Sequence, residues 1–388
     1  MRILLVTDTY FPVVSGVTTV VRELGRALQS VGNQVAVIAP DPQLKDRPKS
    51  WQSSPTFLIP PIPNPIRPDH KIALPHARLI HQYIRTFAPD VIHVHTPGPI
   101  GVTAKRVARK KGIPIVFTFH SVPGFVTSYF RLPPWGTRAI DSLLWAYNNW
   151  YASSLDHIIA PSEFIKTELK SHGVSAKISV VPMWIDPPKR GELSRSKRAL
   201  RVRWKIPKDA CVYLYFGRVE PDKNLLTLLE AFARLLKSPK TVENTYLLIV
   251  GRGTETPRLN EFIAAHLAPH ARIHTPYLEQ AQVEEMFKIS DIFVMTGPFE
   301  AQSIVTLEAV IRNLRIIVAK SGALPEIAGR FPRQSTMYDT YDPRSLTRAM
   351  SRAAKMKTSR SYPSQSLNFY RKSQILAQYM ELYRTLAE

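Results

Sequence analysis

The stretch Phe299-Glu300-Ala301-Gln302-Ser303-Ile304-Val305-Thr306-Leu307-Glu308 carries two glutamates with seven residues between them. It follows an apolar run, Ile292-Phe293-Val294-Met295, and opens an apolar helical pattern from Ile304 to Ile311. That layout puts Glu300 in the loop at a helix N-terminus and Glu308 about two turns into the helix. Backbone N–H groups at such a start, those of Ser303 and Ile304 among them, favour an anion. Carboxylates on either side of that anion accept hydrogen bonds from sugar hydroxyls. One segment can therefore hold a phosphorylated sugar. The same spacing also suits an amphipathic helix with one capping and one surface glutamate.

A second set of charges lies earlier. The strand-like run Val212-Tyr213-Leu214-Tyr215-Phe216 leads into Gly217-Arg218-Val219-Glu220-Pro221-Asp222-Lys223-Asn224, and a helical pattern starts at Leu225. Arg218 and Lys223 stand five apart at a strand-to-helix turn. Arg218 can bind a pyrophosphate as a bidentate fork and Lys223 as a point charge; two solvated cations on a loop of a basic protein would look the same. The turn Val250-Gly251-Arg252-Gly253 allows close backbone approach to a ligand at Gly251, although its G-x-G is weak by itself.

These turns need strands that end beside one another. Short β-branched runs alternate with helical stretches: Ile3–Val6, Gln34–Ile38, Val91–Val94, Ile115–Phe119, His157–Ala160 and Ser179–Val181. A second series begins at Val212 and continues with Tyr246–Val250, Arg272–His274, Ile292–Met295 and Ile316–Ala319. The pattern predicts two parallel, doubly wound α/β domains, an N-terminal one over 1–186 and a C-terminal one over 187–369. The stretch 187–208 reads as linker and first helix of the second domain. Ligands in such sheets bind at the C-terminal ends of the strands. On that ground the loop before Gly16 faces a donor phosphate with a backbone N–H, and His120 faces the binding side from a strand end. His93 and His95 alternate on one strand, with His95 expected to reach the binding side and His93 the opposite face; neither is taken as catalytic.

Composition narrows the class. The chain has 388 residues, enough for two cores, and one cysteine, Cys211, which excludes an intramolecular disulfide and fits a reducing compartment. The opening run Ile3–Val6 is cut short by Asp8 and does not read as a signal peptide. No apolar run approaches the roughly 18 residues of a membrane span. The net charge is +22, spread over both halves, which points to an anionic partner, a membrane surface or nucleic acid. No zinc-finger spacing, RNP1-like run or KH loop is visible, so the membrane is the stronger reading and a nucleic-acid partner is not expected.

Residues 123–153 are rich in aromatics, including Phe125, Tyr129, Trp135, Trp145, Trp150 and Tyr151, with Arg131 and Arg138 among them. Such a mixture suits a membrane interface as well as an ordinary aromatic core. Leu132-Pro133-Pro134-Trp135 reads as an exposed loop that dips into lipid, followed by a helix from Ile140 to Tyr151. The helix from Thr103 to Lys111 adds Lys105, Arg106, Arg109, Lys110 and Lys111. At about 1 kcal/mol per cation near an anionic surface, these charges suffice for reversible docking. Phe125, Tyr129, Trp135, Arg106, Lys110 and Lys111 are the candidate acceptor and membrane residues.

The Arg218/Lys223 turn, the Gly251-Arg252-Gly253 turn and the Glu300/Glu308 segment, in this order, resemble the C-terminal half of a GT-B glycosyltransferase of the large retaining family 4, and within it the bacterial diacylglycerol glycosyltransferases. The resemblance covers nearly the whole chain. It extends to the opening Met1 to Pro12 with Ser15-Gly16-Val17, to His93-Val94-His95, Phe117-Thr118-Phe119-His120-Ser121, Ala160-Pro161-Ser162-Glu163, Val181-Pro182 ahead of Ile185-Asp186, and Ser321-Gly322-Ala323-Leu324-Pro325-Glu326. It implies two Rossmann-like domains facing across a cleft, with the last helix, about 370–388, crossing back onto the first. It implies a retaining transfer of a hexose from a nucleotide sugar, UDP-glucose or UDP-galactose, to a membrane lipid such as diacylglycerol or a glycosyl-diacylglycerol.

In that family's terms Glu308 holds the ribose hydroxyls, Glu300 the sugar hydroxyls, and His120 contacts the transferred sugar. The fold class is usually metal-independent and the chain has no D-x-D, so neither metal nor cofactor is expected. The enzyme is expected in the cytoplasm, peripheral to the inner face of the membrane. Two alternatives stay open: synthesis of a polysaccharide or soluble glycoside, and a non-catalytic protein binding a nucleotide sugar or nucleic acid. Ala301-Gln302-Ser303 departs from the family, where this loop commonly carries glycines. Asn313 stands where a glycine is common and can still adopt the left-handed conformation of a helix end.

Overall fold

The computed structural model describes residues 1–13, 15–42, 54–62, 72–120, 122–129, 132–186, 195–238, 244–276, 278–356 and 364–388. They form two compact units, one of Met1–Pro123, Pro133–Met183 and Lys372–Glu388, the other of Gly124–Leu132 and Trp184–Arg371.

In the first unit, β1 (Arg2–Val6), β2 (Gln34–Pro40) and β3 (Thr56–Ile59) are followed by two short strands, β4 (Pro61–Ile62) and β5 (Ile72–Ala73), which pair with each other. Then come β6 (Val91–Val94), β7 (Ile115–Thr118), β8 (His157–Ala160) and β9 (Ile178–Val180). The main sheet has the order β3-β2-β1-β6-β7-β8-β9, with parallel pairing throughout. Ile3, Leu4, Leu5 and Val6 are all fully buried. A parallel strand covered on both faces has no solvent side, so its sequence is continuously apolar rather than alternating. The order reverses between β1 and β6, and open α/β sheets bind ligands at such a switch point.

The second unit repeats the plan with β10 (Cys211–Phe216), β11 (Thr245–Val250), β12 (Ala271–His274), β13 (Ile292–Met295), β14 (Arg315–Ala319) and β15 (Ser335–Tyr338). Their order is β12-β11-β10-β13-β14-β15, again parallel. Here the switch point lies between β10 and β13. Its core joins Leu214, Leu248, Phe293 and Ile317 of the sheet to Leu228 and Phe232 of the helix Leu225–Leu236.

Several sequence expectations are revised. β3 and β15 were not foreseen. Both are edge strands with mixed burial, so neither presents the unbroken apolar run of a central strand. Of the expected loop Leu132–Trp135, Pro134 and Trp135 instead open a helix spanning Pro134–Ala152, with Leu132 and Pro133 preceding it. Proline at the first helical position is pre-organised and lacks only an N–H that would have no helical partner. The helix expected from Thr103 begins at Pro99, for the same reason. Asn313 adopts φ 63° after the helix Ile304–Ile311. Of the expected linker, residues 187–194 lie outside the described residues, and the helix Lys197–Arg203 follows.

Candidate active-site residues

At the switch point of the second sheet, the loop after β10 carries Arg218, Asp222 and Lys223, and the loop after β13 carries Glu300. Asp222 is the hub: its carboxylate is 1% exposed and receives Arg218 Nη2 at 3.0 Å and Lys223 Nζ at 3.2 Å. Lys223 Nζ also donates to Glu300 Oε1 at 2.6 Å. Burial by itself would lower the Lys223 pKa, but Glu300 and Asp222 outweigh it and the net shift is upward. The same holds for Arg218, where burial is outweighed chiefly by Asp222 and then by Tyr129. Both cations therefore stay charged in a partly dry loop, as an anionic ligand requires.

The turn itself is built from backbone. Tyr215 Oη donates to the Arg218 carbonyl at 2.7 Å. Gly251 adopts φ +148°, and a Cβ there would lie 1.8 Å from the Gly217 carbonyl oxygen. Gly251 thus lies close against the Gly217 carbonyl, beside the turn that carries Arg218.

Ser303 caps the helix Ile304–Ile311 with φ 65°, a left-handed conformation that glycine adopts without strain. Its hydroxyl pairs with Thr306 Oγ1 at 2.8 Å. Glu308 lies on this helix, where burial raises its carboxyl pKa against the partial opposition of Arg312.

Two of the aromatics, Tyr129 and Phe125, lie against Arg218. Tyr129 Oη accepts from Arg218 Nη1 at 2.6 Å and donates to Asp222 Oδ1 at 3.2 Å. The Phe125 ring lies 5.4 Å from the Arg218 guanidinium, within cation–π range. Gly124 is required here, because a Cβ would stand 2.5 Å from the Phe299 ring. The segment Gly124–Leu132 clusters with the second unit for these reasons.

In the first unit, Gly16 opens the helix Gly16–Ser30. Ser15 caps that helix by accepting from Thr18 N, and among the described residues nothing lies within 4 Å of a Cβ position at Gly16. The start of the helix Pro99–Lys111 is filled: Asp8, just past β1, accepts from Ile100 N at 2.8 Å and Gly101 N at 3.3 Å, and from Thr96 Oγ1 at 2.9 Å. Burial raises the Asp8 pKa despite these bonds.

His120, beyond β7, meets His95, beyond β6, with 3.0 Å between His120 Nε2 and His95 Nδ1. The expectation that His93 and His95 face opposite ways is wrong: residues two apart on a strand share a face, and their ring centroids lie 4.1 Å apart. Burial lowers the His120 pKa to about 4 and the His93 pKa to about 3.

The helices Pro99–Lys111 and Pro134–Ala152 are joined by buried Lys105. Its Nζ donates to the Tyr151 carbonyl at 2.8 Å and sits 4.7 Å from the Trp150 ring centroid. Arg106, Lys110 and Lys111 are exposed, as are Trp135 at 75% and Leu143 at 70%, with Trp150 and Tyr147. No helix among the described residues is long and apolar enough to cross a membrane.

Asp222, Asp8 and His95 were not singled out as site residues in the sequence. For Asp222 a signal existed, an acid four residues beyond Arg218 and next to Lys223. For His95 and Asp8 the partners lie 25 or more residues away, beyond any local pattern.

Residues 14–189 match the Glycosyltransferase Family 4 profile and residues 196–366 the Glycosyl transferases group 1 profile. The chain belongs to these glycosyltransferases and has the GT-B fold. Among curated proteins it is 28% identical over 326 residues to an alpha-monoglucosyldiacylglycerol synthase of Acholeplasma laidlawii, covering 82% of this chain and 80% of that protein. It is 27% identical over 329 residues to a GDP-mannose-dependent alpha-mannosyltransferase of Mycolicibacterium smegmatis, covering 83% and 80%. Among solved structures, sucrose-phosphate synthase from Thermosynechococcus elongatus superposes with TM-score 0.75 at 17% identity, over 99% of this chain and 98% of that one. An Anabaena protein in complex with UDP-glucose superposes with TM-score 0.72 at 14% identity, over 99% and 100%.

Proposed function

We propose that this glycosyltransferase moves a hexose, with retention, from UDP-glucose or UDP-galactose to a membrane lipid such as diacylglycerol or a glycosyl-diacylglycerol. The observation that carries the donor side is the Arg218–Asp222–Lys223–Glu300 cluster at the switch point of the second sheet. In the transfer, the bond from the sugar C1 to the diphosphate oxygen breaks with its electron pair on the diphosphate. The acceptor hydroxyl oxygen bonds to C1 and its proton passes to the departing diphosphate oxygen or to solvent water. Arg218, Lys223 and the amides at Ser303 and Ile304 meet the charge that builds on the diphosphate. Glu308 takes the ribose hydroxyls and Glu300 the sugar hydroxyls; in the first unit, which holds the acceptor, Gly16 turns a backbone N–H to the donor phosphate and His120 contacts the transferred sugar.

The lipid acceptor is supported by the two monoglucosyldiacylglycerol synthases among the relatives and by the exposed Trp135, Leu143 and Trp150 on the helix Pro134–Ala152 and the exposed Arg106, Lys110 and Lys111 on the helix Pro99–Lys111. Exposed aromatic rings and basic side chains suit the headgroup layer of an anionic membrane. The enzyme would then act at the cytoplasmic face of that membrane. The mannosyltransferase relatives favour one second reading, a GDP-mannose donor at the same cluster.

The test is a donor-by-acceptor screen with radiolabelled UDP- and GDP-sugars, against liposomes containing diacylglycerol or its glycosides and against soluble sugars. Label from a UDP-hexose should enter the organic phase. Lys223→Ala and Arg218→Ala should each lower kcat/KM by about 10²–10³-fold, the usual effect of removing one group that meets transition-state charge. Label only in water-soluble product would sink the lipid acceptor, and full activity in both variants would sink the site.

A further inference from the structure

His95 has no assigned role, yet its geometry restricts what its neighbour can do. Its ring is 1% exposed, between His93 and His120. His95 Nδ1 meets His120 Nε2 at 3.0 Å, and His95 Nε2 is buried with no hydrogen-bond partner among the described residues. His93, on the far side, is held by Tyr383 Oη at 2.6 Å on Nδ1 and by Thr118 Oγ1 at 2.7 Å on Nε2. Tyr383 comes from the C-terminal helix Lys372–Ala387, so this helix pins the stack of rings.

We infer that His95 is a positioning residue that holds His120 in the tautomer protonated on Nδ1, so that His120 meets the sugar as a hydrogen-bond donor and not as a base. A neutral imidazole carries one proton, on one nitrogen. If His120 Nε2 carried it and donated to His95 Nδ1, the His95 proton would sit on Nε2 as a buried N–H facing no acceptor. If His95 Nδ1 carries it and donates to His120, only a bare lone pair is left at His95 Nε2. Orphaned buried N–H groups are the rarer of the two defects, and in a dry setting the unmade bond is costly. The His120 proton is then on Nδ1. His93 imposes no opposite choice, because the hydroxyls of Tyr383 and Thr118 donate or accept as needed. Burial lowers the pKa of all three rings, so at neutral pH each is neutral and the tautomer is a real alternative.

The inference rests on His120 facing the transferred sugar, and its test separates the two ideas. The full chain, labelled with ¹⁵N-histidine, is examined by two-bond ¹H–¹⁵N correlation at pH 7, with the His120 signals identified by their loss in His120→Ala. The expected pattern has Nδ1 protonated and Nε2 bare; a protonated Nε2 overturns the inference, whatever the activity. In kinetics, His95→Leu removes the donor, whereas His95→Asn keeps an N–H near the Nδ1 position. His95→Leu should lower kcat about tenfold, the scale of one hydrogen bond, with donor KM unchanged, and His95→Asn should recover most of that loss. Equal impairment of the two folded variants, or none, overturns the positioning role. Full activity in His120→Ala would remove His120 from the sugar, while the spectrum still decides the tautomer.

Discussion

At the switch point of the second sheet the polar groups are charged and alternate in sign: Arg218, Asp222, Lys223, Glu300. At that of the first sheet they are mostly neutral: His93, His95 and His120 with the hydroxyls of Thr118 and Tyr383, and one buried carboxylate, Asp8, spent on a helix start. Both sheets share the same order over six strands, the first adding a seventh at its edge, so topology does not account for the contrast. On the proposed function, the loop after β10 receives a diphosphate and needs cations, and cations in a partly buried loop are stabilised by carboxylates beside them. On the same proposal, His120 meets the sugar and needs direction more than charge, which hydrogen bonds between neutral rings supply.

The comparison breaks most sharply at Asp222. Asp222→Ala leaves Arg218 and Lys223 without their shared carboxylate, and should destabilise the second unit by about 3–5 kcal/mol. Denaturant unfolding with a probe in each unit should show the loss beside β10 and β13 and little in the first unit. An unchanged midpoint would mean that Asp222 is not the hub.

The first unit should be the acid-sensitive one. The folded pKa values of His93, about 3, and His120, about 4, lie below the ordinary 6.5, and burial lowers that of His95 well below it too. The unfolded chain therefore takes up protons as pH falls below 6.5 while the folded chain does not. Stability present above 6.5 is lost as pH falls toward those folded values, with a slope of about 1.4 kcal/mol per pH unit for each ring. Asp8 works the other way, since burial raises its pKa, but it is one group against three. Hydrogen exchange at pH 5 should accelerate in β6 and β7 relative to pH 7, after correction for intrinsic rates, and far less in β10 and β13.

The smallest effect concerns Ser303 at φ 65°. Ser303→Ala and Ser303→Gly both lose the hydroxyl bond to Thr306, but only glycine relieves the left-handed backbone. The glycine variant should be the more stable of the two by about 1 kcal/mol, measured as a difference in unfolding midpoint. Equal stabilities would show that the loop after β13 relaxes when the side chain is cut back.

The central strands, the two-fold α/β plan, the Arg218–Lys223 turn and the placement of Glu300 and Glu308 around a helix start were legible in the sequence. Each is written in a window of a dozen residues or fewer, where apolar runs, helix starts and charge spacing are local properties of the chain. Edge strands β3 and β15 escaped because a half-covered strand does not need an apolar run. The His95–His120 contact spans 25 residues and the Tyr129–Arg218 contact 89. Such pairs depend on which strands lie side by side and which segment folds against which loop, and those choices are made by burial of the whole core. The sequence by itself determined the classes of chemical group available in each half. Tertiary structure alone decided that Phe125 and Tyr129 lie on Arg218, and that His120 is held by a second histidine, because only packing brings distant residues within hydrogen-bond reach.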